Sequence, residues 1–165
     1  VVGAQKAGSI TGCSSSATVK GTVDVGGVAG EKWGSMTACY ATGNVTLEID
    51  SPKNLSGGGL VGFNGGSSVL ACYATGNVTS TGSSTGNVHI GGFLGDNYTT
   101  VTACYWKNNH EQGIGYNKKS TGATKVDGTD VTWQKAVDAM NTALQTAGSK
   151  WRYELNGALP TLRKL

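Results

Sequence analysis

Residues 58–79 read GGLVGFNGGSSVLACYATGNVT, and other parts of the chain repeat the pattern of this segment. Its last seven letters, residues 73–79, recur unchanged at residues 40–46, and an Ala-Cys pair precedes both copies. A third Ala-Cys-Tyr stands at residues 103–105. Glycines bracket an apolar pair upstream of each of these cysteines, at residues 27–30, 59–62 and 92–95. Repetition of one motif with the same internal spacing indicates a repeat architecture.

A fourth copy of the motif is found at the beginning of the chain. Gly3 precedes Cys13 by ten residues, just as Gly62 precedes Cys72. The four cysteines lie 26, 33 and 32 residues apart, which gives the period of the array. They are Cys13, Cys39, Cys72 and Cys104. Because the chain begins inside a copy, we expect further repeats upstream in a longer parent protein.

Each repeat contains short apolar runs separated by Gly or Thr-Gly-Asn turns, and no run is long enough for a helix. One repeat cannot bury its own apolar face, but copies stacked about 4.8 Å apart form a continuous core with parallel backbone pairing. The pattern predicts an all-β fold, a parallel β-helix or β-solenoid of about four units. A Gly-rich β-sandwich is the alternative. The predicted units are residues 1–25, 26–57, 58–90 and 91–122.

The C-terminal part, residues 123–165, has a different pattern. An apolar stripe with helical spacing predicts a helix over residues 132–147. Asp130 or Thr132 can cap its N-terminus, and Gly148 stands where a C-terminal glycine belongs. Because a solenoid exposes unpaired strands at its ends, we expect this segment to form an α-helical cap over the last repeat. The stripe consists of Trp133, Val137, Met140 and Leu144.

The composition restricts the possible partners. The chain has 165 residues with 13 Lys and Arg and a net charge of +3, and the cations are scattered. Binding of nucleic acid requires clustered cations, so we expect no nucleic-acid partner. No apolar run approaches the ~18 residues that a membrane-spanning helix needs, so we expect no membrane insertion by this segment.

The repeat resembles the GLUG motif, which is named for Gly-Leu-apolar-Gly. Gly59, Leu60, Val61 and Gly62 match it in full, and two other copies have Val or Phe in the Leu position. The resemblance covers residues 1–105 and includes the following Cys-Tyr segment. It implies a secreted or cell-surface protein of bacteria, of the adhesin-like kind, and similar repeats accompany immunoglobulin A peptidases. The motif carries no established catalytic residues.

The four cysteines occupy the same place in their repeats and are expected to lie in one column. Stacked neighbours would have parallel Cβ vectors about 4.8 Å apart, which is longer than the ~3.8 Å of a disulfide. A buried ladder of free thiols is therefore the leading interpretation, with disulfides as the alternative. A metal site is disfavoured because no paired Cys-x-x-Cys occurs.

Catalytic motifs are incomplete in this sequence. His110-Glu111 begins a zinc-peptidase motif, but Ile114 stands where the second His must bind the metal. The other histidine, His89, alternates with apolar neighbours and is expected to face solvent. Glu48 and Asp50 are the acids best placed for a polysaccharide-cleaving pair, although ordinary solubilising charge also explains them. We expect no catalytic residues, no metal and no cofactor.

Aromatic residues are the strongest candidates for binding. Tyr40, Tyr73 and Tyr105 share one column beside the cysteines. If the cysteines point inward, the tyrosines form an outward stripe for sugar rings or a partner protein, or else a stack that stabilises the sheet. Trp33 and Trp106 lie outside the repeated columns and are expected to be exposed.

These observations predict a non-enzymatic repeat domain of an exported bacterial surface protein, serving adhesion, binding or structural display. Carbohydrate or a host surface protein is the expected partner. The first alternative is an accessory domain of a larger secreted peptidase or glycan-processing enzyme. The second is a β-helix enzyme that acts on carbohydrate.

Overall fold

The chain winds into a β-solenoid in which each complete coil contributes five short strands. The computed structural model describes residues 1–50 and 52–165. The first coil consists of β1 (Val2–Gln5), β2 (Ser9–Thr11), β3 (Ser14–Ser15), β4 (Val19–Gly21) and β5 (Asp24–Gly26). The second consists of β6 (Ala29–Lys32), β7 (Ser35–Thr37), β8 (Tyr40–Ala41), β9 (Val45–Ile49) and β10 (Leu55–Gly58).

The third coil is also complete, and the fourth is shortened. The third consists of β11 (Val61–Asn64), β12 (Val69–Leu70), β13 (Tyr73–Ala74), β14 (Val78–Gly82) and β15 (Val88–Gly91). Three strands of the fourth follow, β16 (Leu94–Asn97), β17 (Val101–Thr102) and β18 (Tyr105–Trp106). The chain then crosses to β19 (Ile114–Asn117) and β20 (Thr124–Lys125) of a partial fifth coil. The cap consists of α1 (Trp133–Thr146), β21 (Trp151–Glu154) and β22 (Thr161–Lys164).

Equivalent strands of successive coils pair in parallel and form five sheets. Sheet A contains β1, β6, β11, β16 and β19, and sheets B to E follow in the order of the strands along each coil. The prediction of an all-β parallel solenoid with a helical C-terminal cap is confirmed, and the β-sandwich alternative is wrong. In the described ranges 1–50 and 52–165, no helix is both long enough and apolar enough to cross a membrane.

The register makes equal letters of the repeats vertical neighbours. In sheet C, Tyr73 pairs with Tyr40 on one side and with Tyr105 on the other. In sheet D, Val78 pairs with Val45. The apolar residues that precede each cysteine also form a column, which consists of Ile10, Met36, Val69 and Val101. Side chains of one type thus pack on the same type along the solenoid axis.

The bracketing glycines of the motif allow sheets A and E to approach each other closely. A Cβ on Gly62 would lie 2.5 Å from the backbone nitrogen of Val25 and 2.8 Å from the carbonyl oxygen of Gly30. Real Cβ atoms do not approach backbone atoms this closely, so the position requires glycine. The motif therefore determines how tightly the chain folds back on itself between one coil and the next.

A left-handed backbone residue precedes each cysteine and turns the corner from sheet B to sheet C. Ala38, Ala71 and Ala103 have φ values of 52°, 52° and 49°. This conformation costs an L-residue of this kind about 1–2 kcal/mol. The first coil has Gly12 at this corner, where a Cβ would lie 2.1 Å from Cε2 of Trp151. The alanine methyl groups belong to the apolar cluster between solenoid and cap.

The cap lies along the side of the solenoid, which corrects the expectation that it covers the last repeat. Helix α1 begins after Thr132, whose hydroxyl accepts a hydrogen bond from the backbone N–H of Lys135 at 3.3 Å. Its buried face packs against the corner alanines and the tyrosine column of sheet C. The physical reason is that this column gives the solenoid an apolar lateral face, and that face needs covering as much as the end does.

The end of the solenoid is protected by the loop that replaces the missing strands of the fourth coil. The side chain of Asn109 accepts from the N–H of Val78 and donates to its carbonyl, both at 2.9 Å. His110 Nε2 lies 2.8 Å from the same carbonyl oxygen. These side chains take the place of a neighbouring strand at this edge of sheet D.

The interior contains the thiols and one buried ammonium group. Cys39, Cys72 and Cys104 are buried and free, whereas Cys13 is exposed and free. Lys32 is fully buried, and its Nζ donates to the carbonyls of Gly34 and Ser67, both at 2.6 Å. Burial lowers the pKa of Lys32 to about 8.

Alkaline pH is expected to destabilise the fold through the buried thiols. A hydrogen bond with Cys72 and burial raise the pKa of Cys39, and burial raises the pKa of Cys72. Above about pH 8.5 these thiols ionise only in the unfolded chain. Between pH 7 and 10 their contribution to the free energy of unfolding therefore falls by about 4 kcal/mol. Lys32 has the opposite effect on stability. Because its pKa is lower in the folded protein, the unfolded chain binds more protons at Lys32 over this range, and the fold becomes more stable as the pH rises. Its contribution therefore rises by about 2–3 kcal/mol over the same window.

Urea denaturation at several pH values measures this balance. The free energy of unfolding of the native protein should fall by about 1–2 kcal/mol between pH 7 and 10. For Lys32→Met it should fall by about 4 kcal/mol over the same range. The comparison uses the slope with pH, because the substitution also removes the Lys32 hydrogen bonds to the carbonyls of Gly34 and Ser67, of which Ser67 keeps a second donor in the Thr99 hydroxyl. Equal slopes for the two proteins would show that Lys32 does not titrate as described.

Candidate functional site

A groove runs along the outside of the solenoid where sheets E and A meet. Its volume is about 480 Å³. One wall is a column of sheet E in which Asp24, Ser56 and His89 are register partners on successive coils. The facing wall is a column of sheet A. It consists of Phe63, Asp96 and Tyr116. Asn54, Asn87 and Tyr98 complete the lining.

The close approach of the two sheets brings these columns together. A Cβ on Gly62 would lie 2.9 Å from the carbonyl carbon of Asp24, so the neighbouring residues on each strand face each other across a narrow gap. The same motif that forms the turn between coils therefore also forms the groove. Residues far apart in sequence lie next to each other because each coil contributes one member to each wall.

Two carboxyl groups lie in the groove with different partners. The Ser56 hydroxyl donates to Asp24 Oδ1 at 2.5 Å. Asp96 Oδ1 lies 2.5 Å from His89 Nδ1 in an ion pair. Burial raises the pKa of both carboxyl groups above their ordinary range, and for Asp96 the nearby His89 partly opposes the shift. The groove therefore has two partly desolvated acids, of which one has a basic partner. His89, which is expected from the sequence to face solvent, lines this outer groove, and its side chain is 28% exposed.

A chain of aromatic rings continues along sheet A and past the groove. The ring centroids of Trp33 and Phe63 are 5.7 Å apart, and those of Phe63 and Tyr98 are 5.4 Å apart. Tyr116 lies 5.8 Å from Tyr98 and stacks on His89 at 5.1 Å. Trp33 is 42% exposed and Tyr116 is 40% exposed, so this aromatic stripe presents ring surface to solvent.

Ammonium groups of the protein itself lie at two places along the aromatic stripe. Near Trp33, the Lys6 ammonium contacts Glu31 Oε2 at 2.5 Å, and the Trp33 indole N–H donates to the other carboxylate oxygen. Farther along, Lys118 Nζ lies 5.6 Å from the ring centroid of Tyr98. The stripe and its acids thus already contact cations.

The predicted tyrosine column points outward but is covered by the cap. The rings of Tyr40 and Tyr73 stack at 4.8 Å with an interplanar angle of 3°. Tyr73 is fully buried, and its hydroxyl donates to the carbonyl of Pro160 at 2.5 Å. Tyr105 is half-buried in the same cluster. As placed here, the column attaches the cap and does not form an open stripe for a ligand.

The two predicted tryptophans have different positions. Trp33 is exposed and belongs to the aromatic stripe. Trp106 is 6% exposed, which corrects the expectation that it lies on the surface. Its ring fills the interior beside Gly92 and Gly113, since a Cβ on either glycine would lie 2.5 Å from it. Its indole N–H donates to the carbonyl of His110 at 3.1 Å.

The other residues considered for chemistry do not meet at one place. Glu48 and Asp50 are exposed and lie outside the lining of the groove. Glu111 pairs with Lys125 at 2.8 Å. Among residues 1–50 and 52–165, no three His, Cys, Asp or Glu side chains gather in a group that could hold a metal ion.

The sequence analysis missed most of the groove, although the sequence contains a signal for it. The repeat was recognised by letters that stay the same, but the walls consist of positions at which the letters change from coil to coil. One such position has Asp24, Ser56 and His89. Another has Glu31, Phe63, Asp96 and Tyr116. Polar and aromatic residues at one fixed offset from the glycine pairs mark these columns in the sequence.

Comparison with known families identifies the motif. Residues 54–79 match the family model described as the GLUG motif, and this segment contains the bracketed pair at 59–62 and the Cys-Tyr turn. The resemblance noted from the sequence is thus confirmed. The chain matches no curated protein and no solved structure.

Proposed function

We propose that this GLUG-motif solenoid is a non-enzymatic binding domain of an exported bacterial surface protein, and that the lateral groove holds carbohydrate. The observation that carries the proposal is the aromatic stripe of Trp33, Phe63, Tyr98 and Tyr116 beside a groove lined with acid and amide groups. Aromatic faces pack against the apolar faces of sugar rings, and carboxylate and amide groups bond to sugar hydroxyls.

The periodicity of the solenoid suits an extended polysaccharide. Successive coils are about 4.8 Å apart, which is similar to the length of one sugar unit in an extended chain. Each coil presents its own ring or polar group to the groove, so successive sugars can meet successive coils. Parallel sheets with side chains in register keep these groups at fixed positions, which reduces the entropy lost on binding.

The hydrogen bonding of the groove favours binding over turnover. Ser56, the register partner of His89 on the adjacent strand, is 1% exposed and its hydroxyl donates to Asp24. Asp96 is engaged with His89. Each group has a neighbour that holds it, which is the arrangement of a preorganised binding surface.

Removing single rings of the aromatic stripe is expected to weaken carbohydrate binding. Trp33→Ala and Tyr116→Ala should each reduce the affinity for the tightest ligand of an oligosaccharide array about tenfold, or ~1.4 kcal/mol. Both side chains are more than one-third exposed, so the fold should survive their loss. Titration calorimetry with that oligosaccharide measures the effect.

The matched control removes an exposed apolar side chain far along the sequence from the groove. Leu165 is 61% exposed at the C-terminus, and Leu165→Ala should bind as the native protein does. An array on which no oligosaccharide is bound overturns the proposal. So does full retention of affinity in both aromatic variants.

A further inference from the structure

The charges of the groove are unbalanced at its centre. The lining contains two carboxyl groups, Asp24 and Asp96, and one basic side chain, His89. The His89 side chain forms an ion pair with Asp96. Within residues 1–50 and 52–165, Asp24 forms no ion pair, and its one hydrogen bond from a side chain comes from the neutral Ser56 hydroxyl. A cation is therefore the ligand group that this centre lacks.

One carboxyl group of the groove is nearly buried. Asp96 is 8% exposed, and its Oδ1 lies 2.5 Å from His89 Nδ1, its one ion-pair partner among the described residues. An ammonium group of a ligand placed between the two walls would be shared by this carboxylate and by Asp24, which forms no ion pair within residues 1–50 and 52–165.

The surroundings already show how an ammonium group is held here. Lys118 Nζ lies over the Tyr98 ring, and Lys6 Nζ contacts Glu31 beside Trp33. Both arrangements combine a cation with an aromatic ring or a carboxylate, which are favourable contacts for an ammonium. The gap between Asp24 and Asp96 offers both groups, and none of the described lysines belongs to the lining of the groove.

We propose that the groove selects oligosaccharides that carry free amino groups, with one sugar ammonium bound between Asp24 and Asp96 and the sugar ring against Tyr98 and Tyr116. This inference rests on the carbohydrate-binding function proposed above and names the ligand class. The match between coil spacing and sugar length favours a polysaccharide over a cationic peptide, whose side chains are longer and more variable in position.

The test compares three β-1,4-linked hexamers that differ at one ring position: glucosamine, N-acetylglucosamine and glucose. Calorimetry in mildly acidic buffer keeps the glucosamine amines protonated. The glucosamine hexamer should bind at least about tenfold more tightly than the other two, with a strong dependence on salt. In Asp24→Asn this preference, taken as the ratio of the glucosamine and glucose affinities of the same variant, should fall about tenfold.

Controls separate the inference from the wider proposal. Asp24→Asn preserves the shape of the side chain and an oxygen for Ser56, and its thermal melt reports folding, with Asp96→Asn as the second variant. Glu48→Gln removes an exposed acid outside the groove and should keep the full preference.

Equal binding of the three hexamers, or an unchanged preference in both Asp variants, overturns the amino-sugar inference and leaves carbohydrate binding intact. Hexalysine binding as tightly as the glucosamine hexamer overturns it in favour of a cationic peptide. If none of the hexamers binds, the amino-sugar inference fails, and the oligosaccharide array decides whether carbohydrate binding stands.

Discussion

Gly62→Ala is expected to abolish stable folding, with a loss of about 4 kcal/mol or more. The added methyl group would lie 2.5 Å from the nitrogen of Val25 and 2.8 Å from the oxygen of Gly30. Both contacts are with backbone, so relief requires β11 to move away from Val25 of sheet E and from the neighbouring strand β6, which contains Gly30. That movement would break the ladder on both sides of the third coil. Urea denaturation followed by circular dichroism measures the loss.

The first coil supplies a matched control for this substitution. Gly3 occupies the same column as Gly62, because β1 pairs with β6 and β6 pairs with β11. A Cβ on Gly3 would have no atom within 4 Å. Gly3→Ala should therefore change the stability by less than about 0.5 kcal/mol. Similar losses for Gly3→Ala and Gly62→Ala would show that the close approach of the sheets is not the cause.

Tyr153→Ala is expected to detach the cap and to cost about 3–5 kcal/mol. The ring is 2% exposed and lies 5.8 Å from the Tyr73 ring. Its hydroxyl donates to the carbonyl of Ala71 at 2.9 Å and lies 3.3 Å from that of Cys39. Losing the ring leaves a cavity between the solenoid and the cap and removes the hydroxyl that donates to the Ala71 carbonyl, whereas the Cys39 carbonyl still accepts from the N–H of Tyr73. The change in melting temperature and increased proteolysis of the C-terminal segment measure the effect.

Tyr153→Phe separates the two contributions. It keeps the ring and removes the hydroxyl, so the expected loss is about 1–3 kcal/mol from the unsatisfied Ala71 carbonyl. The cap should then stay attached and resist proteolysis. A Tyr153→Ala variant that melts with the native protein would show that the cap does not depend on this residue.

The sequence was sufficient for the solenoid because the fold is itself periodic. Once residues 40–46 and 73–79 are seen to be identical, stacking them in register is the arrangement that lets each copy bury the same apolar residues. The pairing of Tyr40 with Tyr73 and of Val45 with Val78 follows directly. The inward direction of the cysteines also follows, since Cys39 and Cys72 belong to one buried cluster.

Features that occur once could not be predicted in this way. The cap has no second copy to align, so its amphipathic helix predicted a buried face but not the surface that covers it. Trp106 occupies the column that holds Ala41 and Ala74 in the earlier coils, so the repeated letters did not predict a large buried ring at this position. Lys32 occupies a buried column next to Gln5 and Asn64, where a charge is unexpected until its two carbonyl partners are seen.

The groove was also difficult to predict from the sequence, for a different reason. Its walls are regular in position but irregular in residue type, so a search for repeated letters overlooks them. Trp33 was the one exposed aromatic residue of the stripe that the sequence analysis named as a binding candidate. Tyr116 and Tyr98 were missed because they lie beside different letters in each coil. Residues of such a site are better found by their position along the coil than by their residue type.

The lateral cap has a mechanical consequence. Arrays of repeats fray from their ends, because each unit contacts only its neighbours. Here the hydroxyl of Tyr153 reaches carbonyls of two successive coils, and the hydroxyl of Tyr73 bonds back to Pro160. The C-terminal segment thus holds together coils that lie much earlier in the sequence. Under shear flow, such a domain would hold or give way as one piece instead of unwinding turn by turn.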